Sequence, residues 1–252
     1  MRIDHFSKEW SVLLAECCQL AYDQFHLNGI FSLPQGFQLA KEFKGVSFHI
    51  TEWFGFIIES EEVIVVAFRG TQTNLDWISD LEVSQEHFPY CSPSPLVHSG
   101  FLSIYNSVRD EIFPTLETLS KKKTLLITGH SLGGALATLL ALECNIEKLF
   151  SSIIMYNYGS PRVGDEGFVE EYKKQGPPSI RFVNLLDLVP FVPTSRVYSP
   201  ISKQHWYYRH IPNAIRFVKR EGSVIKNHSI ETYIAAVKED NRNGNTSFPT
   251  LF

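Results

Sequence analysis

The chain has 252 residues, 44% of them hydrophobic, enough to bury a large core, and a single domain over 1–252 is the simplest reading. A net charge of −4 and a pI of about 6.1 leave no cationic footprint for nucleic acid or for an anionic membrane surface. The four cysteines (adjacent Cys17 and Cys18, then Cys91 and Cys144) form neither a disulfide framework nor a C-x-x-C zinc or redox motif.

Asp4, His5, Lys8 and Glu9 interrupt any apolar leader at the start, and no apolar run reaches the length of a membrane span. The expectation is a cytoplasmic, reduced protein, with a secreted chain trimmed of its leader as the alternative. Over 6–22, Phe6, Trp10, Leu13, Leu14, Cys17, Leu20 and Ala21 are spaced for one face of a helix. Asn28-Gly29 and Pro34-Gln35-Gly36 mark loops. Three strand-like runs follow, at 37–43, at 46–59 with a kink near Gly55, and at 63–68. In the last, Val63-Ile64-Val65-Val66 reads as a strand buried on both faces. Residues 99–120 predict a helix with Pro114 inside it and Lys121-Lys122-Lys123 at its end, where cations suit the helix dipole. Beyond residue 150 the pattern predicts a strand at 152–158, a helix near 167–174 and a strand at 180–185. A Pro-rich loop, a hairpin around Pro212-Asn213, a closing helix at about 229–239 and a polar tail at 241–252 complete the chain. Strands alternating with helices indicate an α/β fold with a mostly parallel sheet.

Between the helix at 99–120 and the strand at 152–158 stands the stretch with chemistry in it. Leu125, Leu126 and Ile127 run into Gly129-His130-Ser131-Leu132-Gly133, and a helix-forming stretch follows at once. G-x-S-x-G is the pattern of a nucleophile elbow, a sharp strand-to-helix turn that exposes its serine at the tip. An ordinary turn with an exposed serine competes with that reading until partners for the serine are found. A serine hydroxyl needs a base to take its proton, and the base needs a third group to hold its tautomer. In such folds the order is serine, acid, histidine. Asp187 emerges from the apolar run 180–186, at a strand's carboxyl end, whereas Asp165 sits in a turn before a helix and reads as a cap. Of the later histidines, His205 and His210 flank the aromatic run Trp206-Tyr207-Tyr208 and read as strand or rim residues. His228, the last histidine, follows an expected loop at 221–227, precedes the closing helix and is the better base. The oxyanion needs donors: the Leu132 N–H at the start of the helix is one, and Thr71, where the strand 63–68 ends, is the second. Arg69 is open to reading as an anion binder, but a brace for that loop is preferred.

These segments together resemble the class 3 lipases, the family of the filamentous-fungal triacylglycerol lipases. The resemblance rests on Val-Val-Ala-Phe-Arg-Gly-Thr (65–71), Asp-Trp-Ile-Ser-Asp-Leu (76–81), Val-His-Ser-Gly-Phe (97–101) and Gly-His-Ser-Leu-Gly-Gly (129–134). Asn-Tyr-Gly-Ser-Pro-Arg-Val-Gly (157–164), Asp-Leu-Val-Pro (187–190) and Asn-His-Ser (227–229) follow in order. It implies an α/β-hydrolase fold, ester hydrolysis without metal or organic cofactor, a triad of Ser131, Asp187 and His228, and an oxyanion hole at Thr71 and Leu132. It also implies a lid at 72–82, where Leu75, Trp77, Ile78 and Leu81 share one helical face and Asp76 and Asp80 the other. A fixed, packed helix with Trp77 in the core is the alternative for that segment. The lack of a disulfide framework and the short stretch from Asp187 to His228 are more similar to small bacterial or intracellular members than to the secreted fungal ones.

The expected substrate is a lipid ester, met at a lipid–water interface, with acylglycerols first. Phospholipid cleavage of the A1 type and short-chain or feruloyl ester hydrolysis are the alternatives. Residues 72–98 contain no Lys or Arg, which favours a neutral lipid. A lipase-like binding or signalling protein without turnover is the non-enzymatic alternative; loss of a triad member would mark it, and all three are present.

Overall fold

The computed structural model describes residues 6–47, 49–71, 83–200 and 202–239. The expected lid at 72–82, with Leu75, Trp77, Ile78 and Leu81, and the expected tail at 241–252 lie outside them.

The sheet is built around strand β3 (Val63–Phe68). Ile64, Val66 and Phe68 enter the core on one face and Val65 and Ala67 the core on the other. A strand without a polar face must lie inside a sheet covered on both sides. The other sheet strands are β1 (Gln38–Ser47), β2 (Ile50–Glu59), β6 (Thr124–His130), β7 (Ile153–Tyr158), β8 (Ser179–Asn184) and β11 (Ala214–Phe217). Their order is β1-β2-β3-β6-β7-β8-β11, a seven-stranded sheet. Pairing is parallel from β3 through β11 and antiparallel for β1 with β2 and β2 with β3. This is the mostly parallel α/β arrangement that the alternation of elements predicts.

Helices α1 (Lys8–His26) and α6 (Ile230–Glu239) cover one face, where Leu14, Ala21, Tyr233 and Val237 pack on Phe56, Leu126 and Tyr156. Helices α2 (Ser99–Thr118), α3 (Leu132–Ile146) and α4 (Glu166–Gln175) cover the other, with Phe101, Val108, Leu136 and Phe168 near Ile64, Ile127 and Met155. Burying each large aliphatic or aromatic side chain contributes about 1.5–3 kcal/mol. α3 is buried from Leu132 to Cys144, as expected of a helix apolar all round. Its one charged residue, Glu143, receives Arg109 Nε at 2.8 Å and the Tyr105 hydroxyl at 2.5 Å. Asp165 caps α4 by accepting from the Phe168 N–H at 2.8 Å, the role its turn position suggests. Pro114 lies inside α2, and Lys121 Nζ donates to the Leu116 carbonyl at the helix end.

Outside the main sheet, β4 (Gln85–His87) and β5 (Leu96–His98) pair antiparallel. Three boundaries differ from the sequence reading. β1 continues past Gly45 and the chain reverses between Ser47 and Ile50, so Val46 belongs to β1. Gly45 is glycine for packing: a Cβ there would stand 2.6 Å from Val108 Cγ1 on α2. Second, no hairpin forms around Pro212-Asn213. The hairpin is β9 (Arg196–Ser199) with β10 (Gln204–Tyr207), and the residues after Asn213 become β11, parallel to β8. Third, the stretch expected as a loop before His228 contains a short helix, α5 (Val224–His228), capped by Ser223.

Candidate active site

β6 and α3 meet at Ser131, whose φ of 58° and ψ of −129° lie in a region side chains rarely adopt. The strain is held in place by close packing around the turn. A Cβ on Gly129 would lie 2.1 Å from the Gly133 carbonyl oxygen, and one on Gly133 would lie 2.5 Å from that of Phe68. Both glycines of the motif are therefore required by contact, and β3 is drawn against the first turn of α3.

The structure brings Ser131, His228 and Asp187 together. Ser131 Oγ is 2.9 Å from His228 Nε2, and His228 Nδ1 is 2.7 Å from Asp187 Oδ2. Asp187 is fully buried, Ser131 is nearly so, and the His228 side chain keeps 13% of its surface exposed. A buried carboxylate is costly unless its lone pairs are satisfied. Asp187 Oδ1 accepts from the Val189 N–H at 2.9 Å, and Oδ2 also accepts from the Tyr233 hydroxyl at 2.6 Å. Burial, then the neighbouring Asp187 charge, pushes the Tyr233 phenol well above its ordinary range, which keeps it a donor. With Nδ1–H directed at Asp187, the Nε2 lone pair faces the serine hydroxyl.

The loops bearing acid and base are tied to each other. Asn184, at the end of β8, donates Nδ2 to the Lys219 and Asn227 carbonyls at 2.8 and 3.0 Å. Asn227 returns Nδ2 to the Leu186 carbonyl at 3.2 Å. Asp187 and His228 are thus fixed by two asparagines: Asn184 carries no sequence signal, and Asn227 stands in the Asn-His-Ser run without a role read for it. Tyr233 was missed for the same reason: it reads as a core residue of α6, and its partner lies 46 positions away.

Thr71 follows Gly70 at the end of β3, and a Cβ on Gly70 would come within 2.9 Å of Ser131 Cβ. Thr71 Oγ1 is buried and has no hydrogen-bond partner among the described residues. Leu132 opens α3, where the first N–H groups have no intrahelical acceptor. Arg69 is the brace expected of it: wholly buried, it donates Nε to the Trp53 carbonyl at 2.9 Å and Nη2 to Glu52 at 2.6 Å, and lies over Phe25 and Phe54. His205 sits on β10 beside Tyr198, and His210 Nε2 donates to the Pro190 carbonyl at 2.6 Å.

Comparison with known proteins agrees with this geometry. The family profile described as Lipase (class 3) matches residues 65–197, more than half of the chain. A lipase from Rhizomucor miehei is 34% identical over 165 residues, 63% of this chain and 45% of the relative. A phospholipase A(1) from Arabidopsis thaliana, DAD1, is 28% identical over 74% of this chain and 54% of its own length. A secreted mono- and diacylglycerol lipase 2 from Gibberella zeae is 32% identical over 66% of this chain and 46% of the relative. The chain spans about half the length of these curated relatives. The crystal structure of a lipase from Rhizopus microsporus var. chinensis superposes with a TM-score of 0.69 at 29% identity, covering 84% of this chain and 75% of that one. Fold, elbow and profile converge: the chain belongs to the class 3 lipase family and has its α/β-hydrolase fold.

Proposed function

We propose that this protein is a serine carboxylic-ester hydrolase acting on lipid esters, acylglycerols first, through an acyl-enzyme on Ser131. The observation that carries the reading is the continuous hydrogen-bond chain Ser131–His228–Asp187 at 2.9 and 2.7 Å, with its serine on a strained elbow. His228 Nε2 takes the hydroxyl proton as Ser131 Oγ attacks the ester carbonyl carbon. Asp187 holds the imidazole tautomer and stabilises the imidazolium. The Leu132 N–H and Thr71, by backbone N–H and hydroxyl, receive the oxyanion; Thr71 Oγ1, buried and without a hydrogen-bond partner among the described residues, supports that role. His228 then gives its proton to the departing alcohol, and a water molecule activated by the same base releases the acid.

Acylglycerols lead because the Gibberella zeae relative is named a mono- and diacylglycerol lipase and because 72–98 carries no cation for a phosphate. Phospholipid cleavage at the A1 position is the second reading, favoured by the Arabidopsis thaliana relative, which is named a phospholipase A(1) and matches the longer stretch of this chain. Initial rates on tri-, di- and monoacylglycerols, phosphatidylcholine and p-nitrophenyl esters, each with Ser131→Ala as control, test both. Acylglycerol turnover lost in the variant is expected. Turnover that is equal in Ser131→Ala would refute the mechanism, and faster turnover of phosphatidylcholine would reverse the order of substrates.

A further inference from the structure

His130 plays no part in the chemistry above, yet it is buried between the oxyanion strand and the base. Its Nε2 is 2.7 Å from the main-chain carbonyl of His228, and its Nδ1 is 2.8 Å from the hydroxyl of Tyr22 on α1. Its ring lies close to that of His228, with centroids 4.6 Å apart and the planes tilted by 32°. A carbonyl oxygen only accepts, so the proton of His130 is on Nε2. Nδ1 then presents a lone pair, and the Tyr22 O–H donates to it. The Tyr22 oxygen packs closely against Gly70: a Cβ on Gly70 would come within 2.2 Å of it. One directed path therefore runs from the Tyr22 O–H through His130 to the carbonyl of His228, with the Gly70 turn packed against its start.

We propose, resting on the function given above, that His130 is a positioning residue: with Tyr22 it couples the turn bearing Thr71 to the main chain of His228, setting donor and base in register around Ser131. It acts as the neutral Nε2–H tautomer, and Tyr22 selects that tautomer. Burial, then the neighbouring His228, holds the His130 imidazole well below the ordinary histidine range. A neutral ring is what this proximity requires, since the imidazolium formed on His228 during catalysis would repel a second one.

The test uses the full chain and three variants: Tyr22→Phe, which keeps the ring and removes the hydroxyl, His130→Gln, which keeps a donor near the position of Nε2, and His130→Leu, which keeps neither. Thermal unfolding establishes that each is folded. A displaced base or donor lowers turnover more than binding, by up to about 100-fold for a shift on the order of 1 Å. The expectation is a fall in kcat on a soluble p-nitrophenyl ester at nearly constant KM. It is roughly 10-fold for Tyr22→Phe and larger for His130→Leu, with partial recovery in His130→Gln. In the Tyr22→Phe/His130→Leu double variant the loss is no greater than in His130→Leu alone. Imidazole ¹⁵N shifts supply a readout independent of turnover: His130 in the native protein is the neutral Nε2–H form from pH 5 to 8, and Tyr22→Phe mixes in the other tautomer. Native kcat in folded Tyr22→Phe and His130→Leu, losses that multiply in the double variant, or an Nδ1–H or protonated His130 would each overturn the proposal. Full hydrolysis by Ser131→Ala with the expected ¹⁵N pattern would instead overturn the function and leave the path itself standing.

Discussion

The serine is activated by what surrounds its partners. Asp187 is buried without solvent, and the imidazole, the Tyr233 hydroxyl and the Val189 N–H occupy its lone pairs instead. Tyr233→Phe removes one charge-assisted bond, a class of contact worth about 1.5–3 kcal/mol. Steady-state kinetics should show kcat/KM down roughly 10-fold with the fold intact. Asp187→Asn leaves the shape but directs the wrong tautomer at Ser131, and a loss on the order of 10⁴ in kcat is expected from the same assay. The triad residues were legible in the sequence because each stands at a position with a local signal: a glycine-flanked turn, the end of an apolar strand, the start of a helix. The parts played by Tyr22, His130, Asn184, Asn227 and Tyr233 were not, although His130 and Asn227 stand in the Gly-His-Ser and Asn-His-Ser runs. Their roles depend on partners brought close by the fold, 108 positions away in the case of Tyr22 and His130. A tyrosine on an apolar helix face looks the same in sequence whether or not its hydroxyl meets a buried carboxylate.

At the scale of elements, the site depends on how closely β3 lies against α3. Gly133→Ala would place a methyl group 2.5 Å from the Phe68 carbonyl and 2.7 Å from that of Arg69, both backbone atoms that cannot rotate away. Unfolding in denaturant should show a loss of roughly 3 kcal/mol or more, the scale of overpacking at a rigid contact. Activity should fall further than stability alone explains, because Thr71 moves with β3. Elements with strong periodicity, α1, α2, β3 and α6, were legible from residue spacing. The segment 196–217 was not. β9, β10 and β11 have four residues each, too few for a pattern, and β11 finds β8 by parallel pairing across the intervening hairpin. Pro212 and Asn213, with a φ of 63° at the asparagine, do make a turn. It feeds a sheet strand rather than joining two strands of a hairpin.

Across the whole molecule, three histidines, His98 and His130 buried and His210 partly so, belong to separate structural units and share one sensitivity. His98 caps α2 by accepting from the Gly100 N–H at 3.1 Å, a role open only to the neutral ring, and burial lowers it to about 4. Burial likewise lowers His130 and His210 well below the ordinary value. A histidine kept neutral in the fold binds a proton more readily when unfolded, so its contribution is complete above about pH 6.5 and is lost as pH falls towards its folded value. For His98 the loss by about pH 4 is roughly 3 kcal/mol. Thermal unfolding from pH 8 to pH 4 should show Tm falling below about pH 6.5, and His98→Asn, which keeps a cap acceptor without titrating there, should flatten part of that slope. The two cores and the parallel sheet gather Ser131, Asp187 and Thr71 at the carboxyl ends of β6, β8 and β3, and His228 meets them from the end of α5, just before α6. This gathering makes Ser131 a nucleophile, and treating the protein with a fluorophosphonate and mapping the adduct by mass spectrometry tests it most directly. A single adduct is expected, on Ser131, absent in Ser131→Ala and strongly slowed in His228→Asn. An adduct on another serine, or labelling of Ser131 at an unchanged rate in His228→Asn, would contradict it.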